Sequence, residues 1–133
     1  LAAAMAGVDV TPIPGRVGQR VRNELIFENT GGSGQAQSTY TLDIVVKESV
    51  INELVQISGD AKGQVYQLDA TFKLIGKDGR VALEGKATSR AAYERFQTIF
   101  SNVRARYDAE NRAARTVAES IKVRIAAYLS QAA

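Results

Sequence analysis

With no histidine and no cysteine among its 133 residues, this chain can do chemistry only through carboxylates, lysines, arginines and hydroxyls. The usual general base at neutral pH is missing, and so are the usual zinc ligand and every Ser-His or Cys-His pairing. Non-enzymatic function is therefore the favoured reading. Three carboxylates, Asp43, Asp69 and Glu84, fall on the same side of alternating segments and could be imagined as a metal or acid-base cluster. Lysines and threonines interleave with them, so charge-balanced pairing across strands is the better expectation, with no metal and no cofactor.

The basic residues form several groups. Arg16, Arg20 and Arg22 lie on an apolar-striped first helical segment and Arg104, Arg106, Arg112 and Arg115 in a long Ala- and Arg-rich one, where they read as solvated helix faces, and Asp108 stands four residues before Arg112 in the favourable order for an ion pair. Lys62, Lys77 and Arg80 fall at turns, where side chains can converge on an anion. The formal net charge of +3 and pI near 9.3 suit a partner bearing phosphates, anionic lipid or acidic protein groups, although the excess is mild. "GGSG" at 31–34 lacks the Lys-Ser/Thr ending of a phosphate loop and precedes a strand, so it reads as a loop.

Those groups must be positioned by elements legible from periodicity. Val8 and Val10 alternate with Asp9 and Thr11 as a short strand ended by "TPIPG". In "GQRVRNELIF", Val17, Val21 and Leu25 recur at helical spacing, which predicts an amphipathic helix over about Arg16 to Glu28. "NTGGSGQAQS" is a surface loop. Three strands follow. Tyr40, Leu42, Ile44 and Val46 share one face against Thr39, Thr41, Asp43, Val45 and Lys47. Tyr66, Leu68, Ala70, Phe72 and Leu74 oppose Gln67, Asp69, Thr71 and Lys73. Val81, Leu83 and Ala87 oppose Arg80, Glu84, Lys86 and Thr88. The Asp78-Gly79 pair predicts a tight hairpin with positive φ values. The stretch 48–63 reads as a bulged continuation of the preceding strand to about Ile57, with a short helix as the alternative. From about Asn102 to Ser130 a stripe of Val103, Tyr107, Ala114, Val117, Ala118, Ile121, Ile125, Tyr128 and Leu129 predicts one long helix, with Ser101 placed as its N-cap.

The expected fold is a single α+β domain over 1–133, a two-layer sandwich in the order β-α-β-β-β-α. Both helices lie on the apolar side of a mixed, mostly antiparallel four-stranded sheet, and the first strand enters as a parallel neighbour. The other face is left to water or to a polar partner. Because Tyr40, Tyr66 and Phe72 all fall on the core side, the sheet offers no aromatic platform for bases, and no nucleic acid is expected. No apolar run approaches the roughly 20 residues of a membrane-spanning helix. "LAAAMAG" lacks the charged start and apolar core of a signal peptide, so a processed chain is expected, with any targeting or lipidation signal upstream of it.

"RVRNEL", "YQLDATFKLIGKDGRVALEGKATSR" and "AESIKVRIAAYL", in this element order from about Val8 to Leu129, resemble the LptE family of LPS-assembly lipoproteins of Gram-negative outer membranes. The resemblance implies a lipid-anchored protein on the periplasmic side of the outer membrane. Such a protein plugs and helps assemble the LptD β-barrel and contacts lipopolysaccharide. The anchoring cysteine of such lipoproteins would precede Leu1. A barrel interior is polar, which would give the open sheet face and the helix residues Arg20, Arg22 and Asn23, with Lys73 and Lys86, a role as barrel contacts. The family touches lipopolysaccharide through basic residues that align here with Gly59 and Asn102. Lys62 and Arg104 are the nearest basic substitutes, beside the turn residues Lys77 and Arg80. The alternative is a stand-alone periplasmic module that binds anionic lipid or another polyanion through its basic turns.

Overall fold

A computed structural model describes residues 8–30, 40–56, 62–95 and 99–132. Of the loop read at 29–38, Asn29 and Thr30 instead close the first helix, and 31–38 lie outside the described residues, as do Ile57 and Gly59. The elements run β1 (Val8–Val10), α1 (Arg16–Thr30), β2 (Tyr40–Gln56), β3 (Lys62–Gly76), β4 (Val81–Arg95) and α2 (Ile99–Ala132). The strands form one sheet in the order β1-β2-β3-β4, with β1 parallel to β2 and the remaining pairs antiparallel. This is the expected mixed sheet and element order. β2 does continue as a strand, and its register with β3 shifts between Asn52 and Gln56, where the bulge was anticipated.

The core forms where the three apolar stripes meet. Leu42, Ile44, Tyr66, Leu68, Phe72 and Leu74 are buried on the sheet, against Val17, Val21 and Leu25 of α1 and Val117, Ile121, Ile125 and Leu129 of α2. Alanines at 109, 113, 114 and 118 are also buried. Their small side chains let α2 approach the sheet and α1 closely. α2 has 34 residues and β3 and β4 have 15 each, so helix and strands both span about 50 Å at their respective rises. α1, with 15 residues, reaches about 22 Å. It covers less than half of that length.

Four local expectations are corrected. Val103 and Tyr107 are exposed rather than buried, because the first turns of α2 extend past the start of α1; the Arg16 guanidinium lies over the Tyr107 ring, 4.3 Å from its centre. Ser101 lies inside α2 rather than capping it. The β3–β4 turn has three residues, with Gly79 alone at positive φ (+80°) and none at Asp78. Gly76 and Arg80 close it through Gly76 N–H to Arg80 O at 3.0 Å, and Arg80 N–H donates to Asp78 Oδ1 at 3.1 Å. Finally, the β3–β4 register shifts so that Leu74 pairs with Leu83 but Ile75 pairs with Val81. Ala82 is the extra residue, and it turns Val81 to the open face, where it is 48% exposed.

α1 begins at its closest approach to the preceding segment. Gln19 N–H donates to Gly15 O at 3.0 Å, and a Cβ on Gly18 would sit 2.6 Å from Ile13 Cγ2 and 3.0 Å from the Ile13 carbonyl oxygen. Ile13 is itself buried. Alanine normally gains about 1 kcal/mol over glycine inside a helix, but overpacking here costs about 1–3 kcal/mol. Gly18→Ala is therefore expected to lower the urea midpoint without changing the slope of the transition, measured by circular dichroism.

Candidate interaction surface

Antiparallel alternation places Thr41, Asp43, Val45, Lys47, Ser49 and Ile51 of β2 on the face away from the helices. Residues paired with them bring Gln67, Asp69, Thr71 and Lys73 from β3 and Glu84, Lys86, Thr88 and Arg90 from β4. Charges alternate across the rows: Asp43, Lys73 and Glu84 face one another in one, and Lys47, Asp69 and Thr88 in another. The three carboxylates weighed above are thus separated by lysine and threonine.

A hydrogen-bonded patch occupies the middle of this face. Gln67 Nε2 donates to both Asp69 oxygens at 3.1 and 3.0 Å, Thr88 Oγ1 donates to Asp69 Oδ1 at 2.9 Å, and Arg90 Nε donates to Gln67 Oε1 at 2.8 Å. The bonds from Gln67 and then Thr88, with lesser help from Lys47 and Arg90, hold the Asp69 carboxyl below the usual carboxylate range. Around the patch stand apolar side chains that a purely polar reading of this face leaves out: Val45 is 67% exposed and Ile51 44%, and Val81 joins them through the Ala82 bulge. Among the described residues no aromatic ring lies on this face.

The candidate contact residues do not form one surface. Lys73 and Lys86 are exposed neighbours on the open face; Arg20, Arg22 and Asn23 belong to α1, in the other layer. Arg20 pairs with Glu24 at 3.1 Å, and Asn23 is exposed. Arg22 was expected to face a barrel or solvent. Instead it donates Nε to Val10 O at 3.1 Å, because β1 ends beneath it with a carbonyl in need of a donor. Lys62 starts β3 and Arg104 is exposed in the early turns of α2, whereas Lys77 and Arg80 lie past the other end of β3. The two groups are about 50 Å apart along the strand, so they cannot converge on a single phosphate. At the turn, Lys77, Asp78 and Arg80 border an open pocket of about 450 Å³ with Tyr40 and Tyr128. The Arg80–Asp78 pair, at 3.9 Å and well exposed, adds little to stability.

Several arginines read as solvated helix faces are structural. Glu110 is buried and receives Arg16 on one oxygen and Arg106 Nε at 2.9 Å on the other, which ties the start of α1 to α2. Nearby, the buried Tyr66 donates its hydroxyl to Glu48 at 2.6 Å; burial first, and this bond second, push the phenol well above its usual range. Arg112 pairs with Asp108 at 3.0 Å, as the spacing suggested, but also donates to Ala92 O at 3.1 Å. Arg124 donates to Lys86 O at 2.6 Å, lies 5.3 Å from the Phe72 ring centre, and occupies the space a Cβ on Gly85 would need. A glycine inside a strand signals a close approach of this kind, and Gly85 was the sequence clue to it.

A carboxyl whose folded pKa is lowered contributes stability above the unfolded pKa and loses it as pH falls through the folded value. Asp69 is accordingly expected to titrate, by NMR of its side-chain carbon, at a lower pH than ordinary aspartate. Gln67→Ala is expected to move that midpoint up. An unchanged midpoint would remove the bond from Gln67 as the main cause.

No family model matches this chain. No curated protein sequence matches it either. Solved structures do share its fold. A candidate lipoprotein from Caulobacter crescentus CB15 superposes with a TM-score of 0.78 at 16% identity, over 99% of this chain and 96% of that one. A minor lipoprotein from Acinetobacter baumannii gives 0.60 at 13% identity, over 90% of each chain. Rare lipoprotein B from Shewanella oneidensis gives 0.57 at 14%, over 93% of this chain and 95% of that one. At such identities the likeness is one of backbone architecture, and in that sense this chain has the β-α-β-β-β-α fold of bacterial proteins described as lipoproteins.

Proposed function

We propose that this chain is the non-catalytic domain of a lipid-anchored envelope protein of the LptE type, seated within an LptD-like outer-membrane barrel and serving lipopolysaccharide transport. The observation that carries this reading is the open sheet face: charge-balanced, hydrogen-bonding, edged by a few exposed apolar side chains and free of aromatic rings among the described residues. A surface of that kind suits the polar lumen of a barrel. The shared fold with bacterial lipoproteins supports the anchored class. The separation of the candidate contacts into two layers also fits a plug, since a lumen surrounds its occupant whereas a flat partner meets one side. Photo-crosslinkers placed singly at Lys86, on the sheet, and Asn23, on α1, are expected to capture the same LptD-like barrel in intact cells, identified by mass spectrometry. Capture from one layer only would replace the plug with one-sided docking, and capture of no barrel from either would remove the reading.

The alternative, anionic-lipid binding through basic turns, is favoured by one observation, the clustering of Lys77, Arg80, Tyr40 and Tyr128 around the turn pocket. Val8 pairs with Tyr40, and Tyr40 with Gly76, so a chain anchored upstream of β1 arrives at this same end. Lipid phosphates would then meet Lys77 and Arg80 rather than Lys62 and Arg104. In low salt, K77Q/R80Q is expected to weaken binding to lipopolysaccharide-containing vesicles severalfold, and K62Q/R104Q to leave it nearly unchanged; the difference should shrink at about 0.5 M salt, where exposed charges are screened. Equal losses from both pairs would mean a diffuse charge effect.

A further inference from the structure

β4 is the last strand of the sheet, and arginines of α2 reach over its outer edge. Leu42 turns its carbonyl toward β1, where Thr11 N–H meets it at 3.0 Å. Antiparallel alternation then turns the backbone groups of Leu74, opposite Leu42, toward β4, and those of Leu83, opposite Leu74, back toward β3. From Leu83 to Arg95 the register is unbroken, so Glu84, Lys86, Thr88, Arg90 and Ala92 turn their N–H and C=O groups outward. Two of these carbonyls are taken. Arg124 Nη1 donates to Lys86 O at 2.6 Å, and Arg112 Nη2 donates to Ala92 O at 3.1 Å. The spacings match, because the helix covers about 18 Å between its two arginines and the strand about 20 Å between its two carbonyls.

Each arginine is held in place. Arg112 pairs with Asp108 at 3.0 Å, one turn earlier. Arg124 lies 5.3 Å from the Phe72 ring centre, in space that a Cβ on Gly85 would enter to within 2.8 Å of Nη1. An edge carbonyl covered in this way is withdrawn from pairing with a further strand. We infer that Arg112 and Arg124 are latches that close the outer edge of β4 to a second copy of this chain.

The edge needs such latches because its side chains do not forbid self-pairing. In the two-fold antiparallel register centred on Ala87, Glu84 of each copy meets Arg90 of the other and Lys86 meets Thr88. Opposite charges directly across a pair favour it, and this register sets no like charges against each other between Glu84 and Arg90. On the helix side it brings Gly85 against Ser89 and Ala87 against Ala87, all small residues. Glu84, Lys86, Thr88 and Arg90 are all exposed. The obstacle is the Lys86 carbonyl, which stands next to the two-fold centre and is already bonded to Arg124. Arg112 guards the outward row farther along, at Ala92. This device does not depend on the barrel reading.

In sedimentation velocity across a concentration series, R112S/R124S is expected to self-associate at least about tenfold more tightly than the native chain. Amide exchange followed by NMR should slow at Lys86, Thr88 and Arg90 as that variant associates. Gly85→Ala, which displaces Arg124 alone, should also self-associate, and it decides the matter should the double variant fail to fold. Arg115→Ser removes another exposed arginine of α2 and should change nothing. In the R112S/R124S background, Arg90→Glu sets a glutamate against Glu84 and should restore the monomer; adding Glu84→Arg should bring the dimer back. A monomeric R112S/R124S chain, association that leaves those three amides unprotected, or a dimer indifferent to the charge exchange overturns the proposal. So does a native chain that already pairs through β4.

Discussion

Two helices of unequal length have to cover one face of a sheet whose three long strands run the length of the molecule. α2 matches the strands end to end, but α1 stops after about 22 Å, and the character of the core changes at that point. Where both helices are present the interior is apolar, with Leu42, Phe72, Leu74, Val21, Leu25, Ile121 and Ile125 in one cluster. Where α1 has not yet begun, polar groups take over. Tyr66 reaches Glu48, and Glu110 holds both Arg16 and Arg106. A buried carboxylate is tolerable there because two cations and their hydrogen bonds meet it. Arg16, on the first residue of α1, makes the start of the short helix a fixed point against the long one.

The same shortage of covering elements explains the treatment of the edges. A four-stranded open sheet has two rims, and rims are where chains add to one another. On β4, α2 lies near enough for Arg112 and Arg124 to reach strand carbonyls, and Arg124 can lie close only because position 85 carries no side chain. On the opposite rim the chain offers three residues of β1 and then leaves for α1 through a pair of prolines. The shortness of β1 follows directly from Pro12 and Pro14, so among the described residues β1 partners β2 only at Tyr40 to Leu42.

Periodicity carried most of the architecture in the sequence. Alternation over 40–46, 66–74 and 83–88 and the helical stripes of α1 and α2 gave the element order, the mixed sheet and the side on which the helices lie. The misses fell where a single residue changes the count or where a partner sits far along the chain. Ala82 inserts one position and reverses Val81, an effect that no local propensity announces. Val103 and Tyr107 continue a perfect apolar spacing, yet nothing lies opposite them, since spacing reports which residues share a face and not whether that face is covered. The destinations of Arg16, Arg22, Arg112 and Arg124 depend on contacts across 94, 12, 20 and 38 positions. Arginines on a helix read as solvated faces until a carbonyl or carboxylate is brought beneath them. The open face itself was legible; the exposure of Val45, Ile51 and Val81 on it was not, since apolar type predicts burial and only the register and the bulge turn these three to the open side.

Net charge is a poor guide to what this surface attracts. Arginine, with its planar fork of donors, serves here mainly as a structural connector: to Glu110, to Val10, to Ala92, to Lys86 and to Gln67. Two exposed lysines of the open face are opposed by acids in the same rows, Lys47 by Asp69 and Lys73 by Asp43 and Glu84, while Lys86 shares its row with Val45 and Thr71. The field over the sheet is therefore close to balanced, and a polyanion gains little by approaching it. Uncompensated positive charge is instead concentrated at the β3–β4 turn, where Lys77 and Arg80 outnumber Asp78. A partner that contacts the sheet must be recognised by hydrogen-bond pattern and shape, and an anion by the turn. The two surfaces lie on separate parts of the molecule, so occupancy of one would leave the other open.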